Sequence, residues 1–87
     1  MKTVFKYKLQ TTDSQQIEMP ESSEVLCVQM QNGIPFIWAK VDTNNELKKR
    51  HFVIVGTGHP LPSNPLNYIG TYQLQYGGLV FHLFEHI

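Results

Sequence analysis

Arg50–Gln75 reads RHFVIVGTGHPLPSNPLNYIGTYQLQ. The apolar run Phe52–Val55 stops at Gly56-Thr57-Gly58-His59-Pro60, and three prolines fall within the six residues from Pro60 to Pro65. Proline fixes φ and removes a backbone donor, so neither a helix nor a strand ladder continues through this segment. A second run opens at Tyr68-Ile69-Gly70-Thr71. Short runs of β-branched and aromatic residues bounded by Gly and Pro read as strands. The stretch is therefore two strands around a shaped, rigid loop, and it sets an all-β reading for the chain.

The flanking sequence agrees. Thr3–Gln10 alternates, with Phe5, Tyr7 and Leu9 on one face and Lys6, Lys8 and Gln10 on the other; this is the period of a half-buried strand. Thr11–Ser14 is a turn. Gln16–Met19 is a short strand with Ile17 and Met19 inward. Glu24–Gln31 places Leu26, Val28 and Met30 on one face. Asn32-Gly33 is a hairpin signal, because both residues tolerate the positive φ of a type I′ turn. The returning strand Ile34–Val41 is apolar on both faces, Phe36 and Trp38 opposite Ile37, Ala39 and Val41, as expected of a central strand or a subunit interface. Pro35 lacks a ladder donor and is expected at an edge or bulge. Pro35, Phe36, Ile37 and Trp38 are the candidate interface residues.

Asp42–Lys49 (DTNNELKK) is a polar surface loop with at most one helical turn, and Arg50–Val55 is the fifth strand. Tyr68–Tyr76 is the sixth, with Tyr68, Gly70, Tyr72, Leu74 and Tyr76 on one face. Gly77-Gly78 turns the chain into a last strand, Leu79–His86. The expected fold is all-β: one small sandwich or barrel of about seven short, mostly antiparallel strands, forming a single domain over residues 1–87.

The 87 residues carry seven basic and seven acidic side chains; 41% are hydrophobic and 16% charged. A chain of this size buries only about 60–65% of its unfolded surface. Charge is sparse against the usual ~25%. Both features point to a surface partly hidden between copies, a homo-oligomer. A net charge of zero offers no basic field for duplex nucleic acid. One cysteine, Cys27, cannot staple the fold internally. No apolar run approaches the ~20 residues of a membrane span, and the first residues do not read as a signal peptide. The expectation is a soluble intracellular protein.

Gly56-Thr57-Gly58-His59-Pro60 is the leading candidate site. Glycines let backbone amides approach a ligand, and successive amides can cradle an anion. Thr57 adds a hydroxyl and His59 a donor near neutral pH. No lysine follows the glycines, and the prolines block the helix that phosphate loops use. The other reading is a strand-ending turn in which glycine supplies unusual φ. Arg50 would bring charge, and Tyr68 or Tyr72 would stack a ring. The candidate ligand-binding set is Arg50, Gly56, Thr57, Gly58, His59, Tyr68 and Tyr72.

His82 and His86 have i,i+4 spacing, but on a strand their backbones stand about 13 Å apart. One zinc ion could not comfortably take both from one strand, so a site would need His51 or His59 from elsewhere. No metal or cofactor is expected. Cys27 has no activating neighbour, and Asp13, Glu18, Asp42 and Glu85 are scattered, so no nucleophile–base–acid set forms and no enzyme is expected.

Several blocks together resemble a family of small uncharacterised proteins of tailed phages and prophages, a domain of unknown function. They are Val4–Leu9, Ile17–Pro20, Val28–Gly33 leading to Trp38–Asp42, Arg50–Phe52 with Gly56–Pro60, Tyr68–Thr71 and Leu79–Glu85. They cover nearly the whole chain in order. The resemblance implies phage origin and residence in the host cytoplasm, and it brings no catalytic residue. By association it also implies an accessory role. One form is an anti-defence homo-oligomer that sequesters a small, phosphate-bearing, nucleotide-derived ligand. The alternative is a protein–protein interaction module that inhibits a host factor, or a minor virion or assembly component.

Overall fold

A computed structural model describes all residues, Met1–Ile87. Seven strands make up the fold: β1 (Lys2–Lys8), β2 (Ser14–Pro20), β3 (Glu24–Gln31), β4 (Ile34–Asp42), β5 (Leu47–Gly56), β6 (Leu66–Leu74) and β7 (Leu79–His86). They form two antiparallel sheets, a three-stranded one in the order β1-β4-β3 and a four-stranded one in the order β2-β5-β7-β6. The sheets face each other as a sandwich, and no helix is present. No helix is therefore long and apolar enough to cross a membrane.

Alternation builds the core. Ile37, Ala39 and Val41 of β4 meet Phe52 and Ile54 of β5, with Met19, Val28, Tyr72 and Leu83 from the flanking strands and Leu9 just after β1. Asn32 and Gly33 have φ of 53° and 79°, the two positive values a type I′ turn needs. They close the β3–β4 hairpin with Gln31 opposite Ile34.

Two bulges interrupt the period of two. One falls between Val25 and Cys27. Val25 pairs with Ala39 and packs against the core, whereas Leu26 is left unpaired and exposed. Leu26 is thus not an inward residue: an extra residue in one strand reverses the faces beyond it. The second bulge lies between Tyr68 and Gly70. It sends Ile69, Gly70 and Tyr72 inward and Tyr68 outward, so Tyr68 and Tyr72 occupy opposite faces. Gly70 is needed here, since a Cβ at this position would stand 2.7 Å from Val28 Cγ1.

Other features also differ from the sequence expectation. Leu47–Lys49 belong to β5, where they pair with Pro20–Glu18, so the polar loop is shorter and carries no helical turn. Gln75 and Tyr76 lie in the β6–β7 turn, with φ of 53° and 56°, and not in the strand. Pro35 is buried within the central strand rather than at an edge. Its carbonyl accepts Leu9 N–H at 3.0 Å, so its nitrogen also faces the β1 side, just past the last paired residues Lys8 and Phe36. The missing donor costs no ladder bond there. With Pro35 buried and Ile37 fully enclosed, neither is an interface residue; only Phe36 and Trp38 of that set face outward.

Candidate ligand-binding site

β5 ends at Gly56, and the chain makes a four-residue turn. His59 N–H donates to Gly56 C=O at 3.0 Å, and Gly58 has φ of 88°. Positive φ at the third turn position defines a type II turn and favours glycine. The ring of His59 folds back over Gly56, 3.2 Å from where a Cβ would stand. The proline segment then runs along the outer face of the four-stranded sheet. It leaves one depression of about 200 Å³ against Thr57, His59, Leu61, His82 and Phe84. A second, of about 380 Å³, lies against Asp13, Val53, Val55, Pro60 and Pro62.

The β6–β7 register sets Thr71 opposite His82 and Tyr68 opposite Phe84 on this face. Tyr68 meets Phe84 edge-on, with ring centroids 5.5 Å apart. A hydrogen-bonded chain crosses the sheet. Tyr68 Oη lies 2.6 Å from Thr71 Oγ1, Thr71 Oγ1 2.9 Å from His82 Nδ1, and His82 Nε2 2.7 Å from Thr57 Oγ1. A neutral imidazole donates from one nitrogen and accepts at the other, while each hydroxyl does both. Either tautomer of His82 therefore satisfies every member of the chain. The sequence reading selected Thr57 and Tyr68 but missed Thr71, His82 and Phe84, which join the site only through the strand register.

The anion cradle does not form as expected. Thr57 N–H is donated to Val80 C=O at 3.3 Å, and His59 N–H is used within the turn. Arg50 points into the sandwich. Its Nε and Nη2 donate to Glu85 at 2.6 and 2.8 Å, and Nη1 donates to Ser23 C=O. The Glu85 hydrogen bonds hold the guanidinium even more firmly protonated than usual. Arg50 is a structural clamp and brings no charge to the loop, and neither depression is lined by lysine or arginine. Tyr72 is also withdrawn from the ligand set. It is buried, hydrogen-bonded to Thr11 Oγ1 at 2.9 Å, and burial raises the pKa of its phenol. Gly56, Thr57, Gly58 and His59 line the smaller depression, and Tyr68 is joined to it through Phe84 and the hydrogen-bonded chain.

The remaining histidines pair elsewhere on the same face, His51 stacking on His86 with ring centroids 4.5 Å apart. No group of three or more His, Cys, Asp or Glu side chains comes close enough to hold a metal ion. Cys27 lies on the other sheet. The model of a family described as a domain of unknown function (DUF7352) matches residues 1–87. No curated protein and no solved structure matches the chain.

Proposed function

The chain belongs to the DUF7352 family, which brings no activity with it, and from the geometry of its outer sheet face we propose that it is a non-enzymatic binding protein. The observation that carries this reading is the chain of hydroxyls and imidazole leading from exposed Tyr68 to Thr57 at the smaller depression. It offers hydrogen bonds beside an exposed aromatic ring, as a ligand with a planar ring and hydroxyl groups requires. Nucleotide-derived compounds are that class. With no lysine or arginine at the site, recognition rests on the base and ribose more than on phosphate. Phage origin, assembly as a homo-oligomer and sequestration of a host immune signal are the specific form of the reading that the sequence resemblance implies.

Calorimetry with nucleosides, cyclic nucleotides and ADP-ribose derivatives tests it, on protein whose oligomeric state is set by light scattering. The expected result is saturable heat from at least one compound, with the parent nucleoside keeping most of the affinity. Silence from the whole panel ends the proposal.

One observation favours the alternative, a module that inhibits a host factor or joins a virion. Tyr76 is fully exposed at a positive φ, a conformation that costs roughly 1–2 kcal/mol in a residue with a Cβ. A bulky aromatic held there suits a contact with another protein. A stoichiometric host partner recovered by wild-type protein and lost with Tyr76→Gly would favour this reading.

A further inference from the structure

The outer face of the three-stranded sheet gathers the molecule's lysines. Cross-strand register stacks it in rows: Lys8–Phe36–Gln29, then Lys6–Trp38–Cys27, then Val4–Lys40–Glu24, with Lys2 beside Asp42 at the far end. Four of the seven basic residues therefore share this face with two carboxylates. Both carboxylates sit at the Lys40 end, where Asp42 is already engaged by the Asn44 amide at 3.0 Å and the chain's ammonium at 3.5 Å. The rows of Phe36 and Trp38 contain lysine, glutamine and cysteine and no acid. A chain of zero net charge is thus polarised, with an excess of positive charge on one sheet face.

The aromatic rings lie beneath that charge. Phe36 and Trp38 have centroids 6.2 Å apart. The Lys6 ammonium sits 4.6 Å from the Phe36 centroid and 5.9 Å from that of Trp38, and it donates to Gln31. The Trp38 indole N–H is the one buried side-chain polar atom without a partner. A second copy of the same face is disfavoured, because it would bring lysines against lysines.

We propose that this face binds single-stranded nucleic acid. Lys2, Lys6 and Lys8 of the edge strand β1 and Lys40 of β4 track the phosphates, and Phe36 and Trp38 take successive bases, the pairing of basic groove and stacking platform that such surfaces use. Lys6 gives up its place over the rings and moves to a phosphate. The exchange is favourable, since an exposed cation–π contact is weaker than a base stacked on an aromatic ring. Duplex nucleic acid does not fit, because its bases are not free to stack. This face is opposite the depression on the four-stranded sheet, so the inference stands whatever the outcome there.

The chain has a single tryptophan, so its fluorescence reports this face alone. The probe is a thymidine oligonucleotide of about 12 nucleotides, within the site sizes seen for such surfaces. Saturable quenching of Trp38 is expected, with log affinity falling against log salt at a slope of about −3 for four phosphate contacts. The surface double variant Lys6→Gln/Lys8→Gln should halve that slope to about −1.5. Phe36→Ala should weaken binding by about tenfold while circular dichroism shows the sheet intact. Absence of quenching at low salt overturns the proposal. So does equal binding of duplex or inorganic polyphosphate with unchanged emission, which would mean charge alone. Binding to phosphatidylserine vesicles without binding to the oligonucleotide also overturns it and assigns the face to a membrane surface.

Discussion

Tyr72 shows how one residue can read as a ligand platform and serve the core. Its ring is buried and only its hydroxyl finds a partner, Thr11. Burial raises the phenol's pKa, with the Thr11 hydrogen bond opposing. The folded value thus lies above the unfolded one. The stability linked to this group is fully present below the unfolded pKa of about 10 and is lost as pH rises through the folded value. Tyr72→Phe should cost about 1 kcal/mol at pH 7 through the lost hydrogen bond. It should also remove Tyr72's share of the alkaline decline, so the two proteins converge above about pH 10. Urea titrations at the two pH values check this; a gap that widens with pH would refute it. The sequence shows an aromatic at a strand position and nothing of the hydroxyl's partner, which lies 61 residues away.

At the scale of elements, the strands and their order along the chain were largely readable, and their faces less so. Asn32-Gly33 named its own hairpin because few residue pairs hold two positive φ values. Faces were assigned by counting in twos, which fails wherever a bulge inserts a residue. Leu26 and Tyr68 both lie at such places. Register, not face, hid His82 from the candidate site. A two-residue turn at Gly77-Gly78 would set Gln73 opposite His82. The observed four-residue connection sets Thr71 there instead, because Gln75 and Tyr76 take left-handed conformations that no propensity of theirs announces. The Arg50–Glu85 pair joins β5 to β7, with side chains 23% and 15% exposed, and the third arm of Arg50 ties down the turn before β3. Glu85→Gln should cost about 2 kcal/mol by weakening charge-assisted bonds in a partly buried site. A double-mutant cycle with Arg50→Met measures the coupling; a coupling near zero would make the pair incidental.

For the whole molecule, the contact that fixes the spacing of the two sheets at one corner is between Val28 of β3 and Gly70 of β6. Gly70→Ala places a methyl group 2.7 Å from Val28 Cγ1. Relief requires that β3 and β6 separate or that Val28 leave its rotamer. The expected loss is about 1–3 kcal/mol, and the companion change Val28→Ala should restore part of it by making room. Denaturant midpoints for the two single variants and the double decide the matter: additive losses would mean that the two positions do not touch.

The hydroxyl–imidazole chain on the opposite face contains no carboxylate to fix its direction. If Tyr68 donates toward Thr71, the protons order so that His82 donates to Thr57, whose own proton then points outward. If Tyr68 instead accepts from Thr71, every link reverses and Thr57 turns into His82. The two ends of the wire therefore carry opposite polarity, and a guest that settles one end has already chosen what the other can offer.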